Sequence, residues 1–189
     1  MKPPTATFSF ILFIFSLSAQ VIPIKNALQT DIAKVISDYP NGFKNISGEQ
    51  IMDNPQTIEF ESKVSVKEAK CRVIKYSSNT KDIYSWEAEM IKTDDFEEAS
   101  KKFSSIYNSL QLLSVNVNGT NAVFKGDYVK PTESIKFTTI VFDAGDKTPE
   151  LKKLKVSLSM ENQMMDWVIK IQVYEKERED KDRGPQKDE

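Results

Sequence analysis

The sequence predicts an α+β fold in which an antiparallel sheet of about six to seven strands carries two helices packed on one face. Two segments place apolar residues at the spacing of an amphipathic helix. Several further segments alternate apolar and polar residues with the period of two that a half-buried strand requires. Short polar connections separate several of these strands, and such connections are typical of antiparallel neighbours.

The N-terminal segment FSFILFIFSLSAQ, residues 8–20, has the composition of a secretory signal. Lys2 and the amino terminus precede its apolar block, and small residues such as Ala19 follow it. The block is too short for a spanning helix, which needs about 20 apolar residues. We therefore expect residues 1–19 to be a cleaved signal peptide and the mature protein to be periplasmic or extracellular. An uncleaved anchor reaching Ile24 is the alternative.

The first half of the mature chain predicts one helix and three strands. Residues 25–38 have helical spacing, and the turn residues YPNG at 39–42 end the helix because proline disfavours a helical residue before it. A loop is expected from there to Gln56. Strands are then expected in TIEFESKVSV (57–66), CRVIKY (71–76) and YSWEAEMIK (84–92).

The segment DDFEEASKKFSSIYNSL, residues 94–110, predicts the second helix. Asp94 or Asp95 can accept hydrogen bonds from the free N–H groups of the first turn, and Glu97 and Glu98 favour the positive end of the helix dipole. We interpret these acids as helix-start residues rather than as a pair of catalytic carboxylates. The apolar stripe comprises Phe96, Ala99, Phe103, Ile106, Tyr107 and Leu110.

The second half of the chain predicts further strands and ends in a charged tail. Asn118-Gly119 is a hairpin signal between two of the strands. Twelve of the last fifteen residues are charged, so residues 176–189 are expected to be a disordered tail. The strand segments are LLSVNV (112–117), AVFKGDYV (122–129), SIKFTTIVFD (134–143), KVSLSM (155–160) and WVIKIQVY (167–174).

A single domain is expected over residues 24–175, with a possible internal repeat. The halves 25–92 and 94–175 share the order of a helix, several strands and a closing strand that contains a tryptophan near its start. Trp86 and Trp167 would then hold similar places. The alternative is that any succession of alternating strands resembles another. If the repeat is real, the two α-β-β-β halves form one continuous sheet about a pseudo-two-fold axis.

The composition excludes several classes of site. The chain has no histidine and one cysteine, so no Ser-His-Asp or Cys-His site and no His-rich zinc site can be built. No glycine-rich phosphate-binding motif is present. The net charge of −2 gives no basic field for nucleic acid. We therefore expect no catalytic, cofactor or metal residues. Cys71 is expected to be a buried thiol, and the alternatives are intermolecular pairing or a reactive nucleophile.

Two groups of apolar residues have alternative roles. Packing in the core is the simple role of the aromatic residues, and lining a cavity for a small apolar ligand between sheet and helix is the other. The candidate cavity residues are Trp86, Phe96, Phe103, Tyr107 and Trp167. The methionines Met160, Met164 and Met165 flank a turn, where they either pack at strand ends or form an adaptable contact surface.

The signal peptide, the short first helix, the W-x-A-x-M strand at Trp86 and the helix at 94–110 together resemble small exported bacterial α+β proteins of unknown function. The tandem halves also look like the plan of small secreted inhibitor and envelope proteins. Neither resemblance implies catalytic residues. The first functional hypothesis is a non-enzymatic exported protein that binds a protein or envelope partner through its sheet face or a strand edge. The alternative is a carrier of a small apolar ligand.

Overall fold

The computed structural model describes residues 26–77, 82–145 and 151–176. The predicted signal peptide (1–19) and the tail after Lys176 lie outside these residues. Within them the chain forms two α-helices, a short 3₁₀ helix (Tyr39–Asn41) and nine strands. The α-helices are α1 (Ala27–Ser37) and α2 (Phe96–Leu110). The strands are β1 (Ser47–Asp53), β2 (Thr57–Ser62), β3 (Lys70–Tyr76), β4 (Ile83–Thr93), β5 (Ser114–Val117), β6 (Thr120–Val123), β7 (Phe137–Asp143), β8 (Leu154–Gln163) and β9 (Asp166–Glu175).

Seven strands form one antiparallel sheet in the order β1-β2-β3-β4-β9-β8-β7, and β5 and β6 form a separate hairpin. The α+β prediction with an antiparallel sheet and two helices is therefore confirmed. The sheet is two meanders, β1 to β4 and β7 to β9, whose last strands pair at its centre. Two tandem halves would give this topology, although a duplication stays a prediction. In the central pair Trp86 lies opposite Val173 and Trp167 lies opposite Thr93, so each tryptophan faces the end of the other's strand, with one bulge in β4 between the two pairs.

Both helices begin where side chains cap them. In α1 the Asn26 side chain accepts from the Gln29 N–H at 2.8 Å, and the Gln29 side chain accepts from the Asn26 N–H at 3.0 Å. In α2 the Asp95 carboxylate accepts from the N–H groups of Glu97 and Glu98. The predicted role of the acids at the start of α2 is thus confirmed for Asp95, because these bonds satisfy donors that the helix leaves free.

Three local predictions differ from the structure. The predicted strand 122–129 is wrong beyond Val123, where β6 ends, because the chain after it makes only an isolated bridge from Lys125 to Asp143. Strand β1 lies in the segment that the sequence predicts as a loop. The prediction fails because β1 is an irregular edge strand whose residues are mostly exposed and show no alternation. Strand β2 ends at Ser62, four residues before the predicted end. The Ser62 hydroxyl donates to the Val64 carbonyl and accepts from the Val64 N–H, which turns the chain. Val64 and Val66 are nevertheless buried.

The helices and the hairpin cover one face of the sheet and enclose a single core. Alternation on the central strands places Trp86 and Ala88 of β4, and Ile169 and Ile171 of β9, in that core. Helix α2 adds Phe103 and other residues of its predicted stripe. This packing agrees with the inward faces that the sequence predicts.

A buried carboxylate organises the loop between α1 and β1. Asp38 is 6 % exposed, and its carboxylate accepts hydrogen bonds from the side chains of Asn41 and Asn45 at 2.9 and 2.6 Å. It also accepts from the backbone N–H groups of Asn45 and Ile46 at 3.0 and 3.3 Å. The loop contains Phe43, which is buried and has a φ of 58°, a left-handed backbone that needs outside support. Asp38 supplies that support.

We expect Asp38→Ala to lower the free energy of unfolding by about 2–3 kcal/mol, because four donors lose their charged acceptor. Urea unfolding followed by circular dichroism measures the change. Asp53→Ala on the exposed strand β1 is the matched control and should change stability by less than about 0.5 kcal/mol. Equal stability of the two variants would contradict the organising role of Asp38.

Candidate functional site

The five predicted cavity residues lie in or against the core. Trp86 and Phe103 are fully buried, and the Trp86 Nε1 donates to the Ser62 hydroxyl at 2.9 Å. Trp167 packs against Phe96, with ring centroids 5.2 Å apart. Tyr107 packs elsewhere, against Phe142 and Tyr128, with centroids at 5.8 and 4.8 Å. The structure thus brings Phe96 and Trp167 together.

Three clefts on the described part of the chain are lined by other residues. One of about 560 Å³ lies on the serine-rich side of α2, from Ser100 to Ser109. One of about 320 Å³ lies where α1 and α2 meet near Met90. The third, of about 460 Å³, lies beside the loop that Asp38 organises. None of the five aromatic residues lines these clefts, and their role in a ligand cavity stays a prediction.

The outer face of the sheet, the face turned away from the helices, carries a network of ion pairs. At its centre Glu87, whose side chain is 5 % exposed, pairs with Arg72 of the neighbouring strand and accepts from the Gln172 side chain at 2.8 Å. Arg72 also pairs with Glu59 at 3.1 Å. Further pairs join Lys70 to Glu89, Lys92 to Asp166, Lys170 to Glu161 and Lys155 to Asp143.

The central guanidinium is held in its charged state. Burial acts to lower the pKa of Arg72, and the nearby charges of Glu87, Glu59 and Glu89 outweigh it, so that the pKa is raised. Val168 is buried although it lies on the outer face, because the cross-strand pairs Lys92–Asp166 and Lys170–Glu161 flank it. The outer face is therefore covered by the chain's own side chains and offers little open apolar surface at its centre.

A cluster of exposed apolar side chains lies at one end of the sheet. We call it the apolar corner; its members are Ile135, Phe137, Met164 and Met165, which are 52, 57, 100 and 82 % exposed. The register brings them together, because Phe137 pairs with Glu161 and the Asn162 N–H donates to the Lys136 carbonyl at 2.8 Å. The β8–β9 turn, Met164-Met165, follows directly. Large exposed apolar residues in one place mark a site of interaction more often than scattered ones do.

The residues of the β8–β9 turn are poorly suited to its backbone. Met164 has a φ of 61°, a left-handed conformation that costs most side chains roughly 1 kcal/mol. The β5–β6 turn uses Asn118-Gly119, with φ values of 50° and 85°, which is the usual choice for such hairpins. One chain thus contains both a hairpin with conventional turn residues and one with two exposed methionines.

Among the described residues no strand pairs with the edge of β7 next to the apolar corner. Asp143 exchanges backbone hydrogen bonds with Lys125 at 2.9 and 3.1 Å, on the side of β7 away from β8. The backbone groups of successive strand residues point to alternate sides, so the N–H and C=O groups of Phe137 and Thr139 point to the same side as those of Asp143. In the described part of the chain no backbone hydrogen bond reaches those groups. Gly126 lies against the Val141 carbonyl, so this segment covers the part of the β7 edge that is farther from the apolar corner. By contrast β1, the opposite edge, is interrupted by irregularities in its register.

Cys71 is only partly buried, which differs from the buried thiol that the sequence predicts, because it lies next to the exposed start of β3 at Lys70. Burial raises the pKa of the Cys71 thiol, and the nearby charge of Asp31 raises it further against a hydrogen bond from the Val66 N–H. Among the described residues no three His, Cys, Asp or Glu side chains gather as metal ligands. No helix in the same ranges is long and apolar enough to cross a membrane.

The chain matches no protein-family model, no curated protein and no solved structure. The assignment of a site therefore rests on the geometry of the molecule.

The sequence predicts one of two roles for the methionines near the β8–β9 turn, either packing at strand ends or forming a contact surface. The structure separates them, because Met160 is buried in β8 whereas Met164 and Met165 are exposed. Packing at strand ends is therefore wrong for the last two. Ile135 and Phe137 were missed, because an alternating strand gives no sign of which face stays uncovered.

Removing the charged partner of Glu87 should destabilise the fold. We expect Arg72→Met to lower the free energy of unfolding by about 2–3 kcal/mol, because Glu87 stays buried without its ion pair. The double variant Arg72→Met/Glu87→Leu should recover part of the loss. Chemical unfolding of both variants tests this. A double variant less stable than R72M alone would contradict it.

Cys71 should react slowly in the native protein. We expect alkylation by iodoacetamide at pH 8 to be at least about tenfold slower in the folded chain than in urea, because the raised pKa and the burial both reduce attack by the thiolate. The native rate should rise as the pH increases above 8. Mass spectrometry of timed samples gives the rates, and equal rates in both states would exclude a protected thiol.

Proposed function

We propose that this chain is an exported, non-enzymatic binding protein that engages a partner protein through the apolar corner. The observation that carries the proposal is the exposed Met164-Met165 turn, which accepts a strained backbone to present two flexible apolar side chains. Methionine side chains adapt to irregular partner surfaces because they are unbranched and polarizable.

Three further features support a protein partner at this place. The apolar corner adjoins the open backbone groups of Phe137 and Thr139, which can pair with an extended segment of a partner. The outer face of the sheet is already covered by ion pairs, which favours the edge over the face as the contact region. Export is supported by the apolar segment at residues 8–20.

The absence of enzymatic activity is proposed on chemical grounds. The chain has no histidine, and its single thiol has a raised pKa. Its central carboxylate, Glu87, is occupied by Arg72 and Gln172 rather than free to transfer protons. A binding role needs none of these chemistries.

The double variant Met164→Gly/Met165→Ser tests the proposal. Glycine favours the left-handed backbone at Met164, so we expect stability equal to that of the wild type or up to about 1 kcal/mol higher. Recovery of the partner from an envelope fraction by the tagged protein should fall roughly tenfold, because two central apolar contacts are lost. Quantitative mass spectrometry of the captured proteins measures the change.

Leu112→Ser is the matched control, since Leu112 is exposed at the end of α2 and lies outside the apolar corner. It should leave capture unchanged. A protein captured equally by wild type, control and double variant would not be bound through the apolar corner, and the proposal would then fail.

A further inference from the structure

The cleft of about 460 Å³ beside the Asp38 loop is lined by polar side chains and one aromatic ring. It lies at the end of the sheet opposite the apolar corner, because β4 begins here and runs to Thr93, which pairs with Trp167. Its volume is within the range of small-molecule sites. The lining residues are Pro40, Asn41, Gly42, Lys44, Asn45, Asp82 and Tyr84.

The two carboxamides of the cleft are oriented by a buried acid. The Nδ2 atoms of Asn41 and Asn45 both donate to Asp38 Oδ1, at 2.9 and 2.6 Å. This bonding fixes both side chains and leaves each Oδ1 atom as an acceptor, and no described residue donates to either atom. Preorganised acceptors of this kind bind hydroxyl groups without first losing conformational freedom.

The other polar groups of the cleft complete a set suited to hydroxyls. Asp82 pairs with Lys75 through Oδ1 at 2.9 Å, which leaves its second oxygen as an acceptor. Lys44 has no ion pair within the described ranges and can donate to a ring or hydroxyl oxygen. Three acceptors and one cationic donor match a ligand rich in neutral hydroxyl groups better than they match an anion.

An aromatic ring and a glycine supply the apolar part of the cleft. Tyr84 is half-buried, and Lys75 Nζ lies 5.9 Å from its ring centroid. Gly42 has a φ of 63°, and a Cβ there would lie 4.0 Å from Tyr84 Cδ2, within van der Waals contact of the ring. The absence of a side chain at Gly42 leaves the space beside Tyr84 open for the C–H face of a sugar ring.

We propose that this cleft binds a neutral saccharide, with hydroxyl groups donating to Asn41, Asn45 and Asp82 and a sugar ring against Tyr84. The site is separate from the apolar corner and would give the protein a second ligand of a different class. Asp38 acts as a positioning residue, since it contacts the two amides rather than the sugar.

Titration calorimetry with maltotriose, cellotriose and trigalacturonate tests the site on the full mature chain. We expect one of the two neutral sugars to bind with a dissociation constant below about 1 mM and the acidic sugar to bind at least tenfold more weakly. Amide chemical shifts of the labelled protein should move at Gly42, Asn45 and Tyr84. Preference for the acidic sugar, or shifts confined to another region, would overturn the assignment.

Lys44→Ala should weaken binding roughly fivefold with an unchanged melting temperature, because Lys44 is exposed and unpaired among the described residues. Lys101→Ala on α2 is the matched control and should bind as the wild type does. Tyr84→Ala should weaken binding at least tenfold. If the wild-type protein binds none of the three sugars up to about 10 mM, the saccharide proposal is refuted. That result would not affect the proposed role of the apolar corner.

Discussion

The pairing of β4 with β9 is the interaction on which the rest of the structure depends. These two strands are the longest-range neighbours in the sheet, and they join a meander from each half of the chain. Their inward residues, among them Trp86 and Ile171, form the centre of the core. Their outward residues carry the central ion pair of Glu87. A slip of one residue would exchange these two faces, so the register fixes both at once.

The two faces of the sheet satisfy different requirements. The inner face is covered by helices and by the β5–β6 hairpin, and its apolar side chains exclude water. No helix of the described residues covers the outer face, and cross-strand pairs such as Lys170–Glu161 cover it instead. The two surfaces that we propose for recognition lie instead at the ends of the sheet. The apolar corner and the Asp38 cleft occupy opposite ends.

Most of the secondary structure could be predicted because the patterns are local. The period-two alternation of β4 and the apolar stripe of α2 arise from residues close in sequence, and the cap at Asp95 lies beside the helix that it starts. Strand β1 was missed because an exposed edge strand has no face to bury. The apolar corner was predicted only in part, since Met164 and Met165 have apolar side chains whether they pack or stay exposed.

The sequence alone determined the α+β class, the two helices, the likeness of the opening segment to an export signal and the chemistries that a chain without histidine lacks. The tertiary structure decided which strands meet and therefore which side chains remain uncovered. Phe137 and Met164 are 27 residues apart in sequence, and only the β7–β8 register brings them to one end of the sheet. Exposure is a property of the packed molecule, because it depends on neighbours that are distant along the chain.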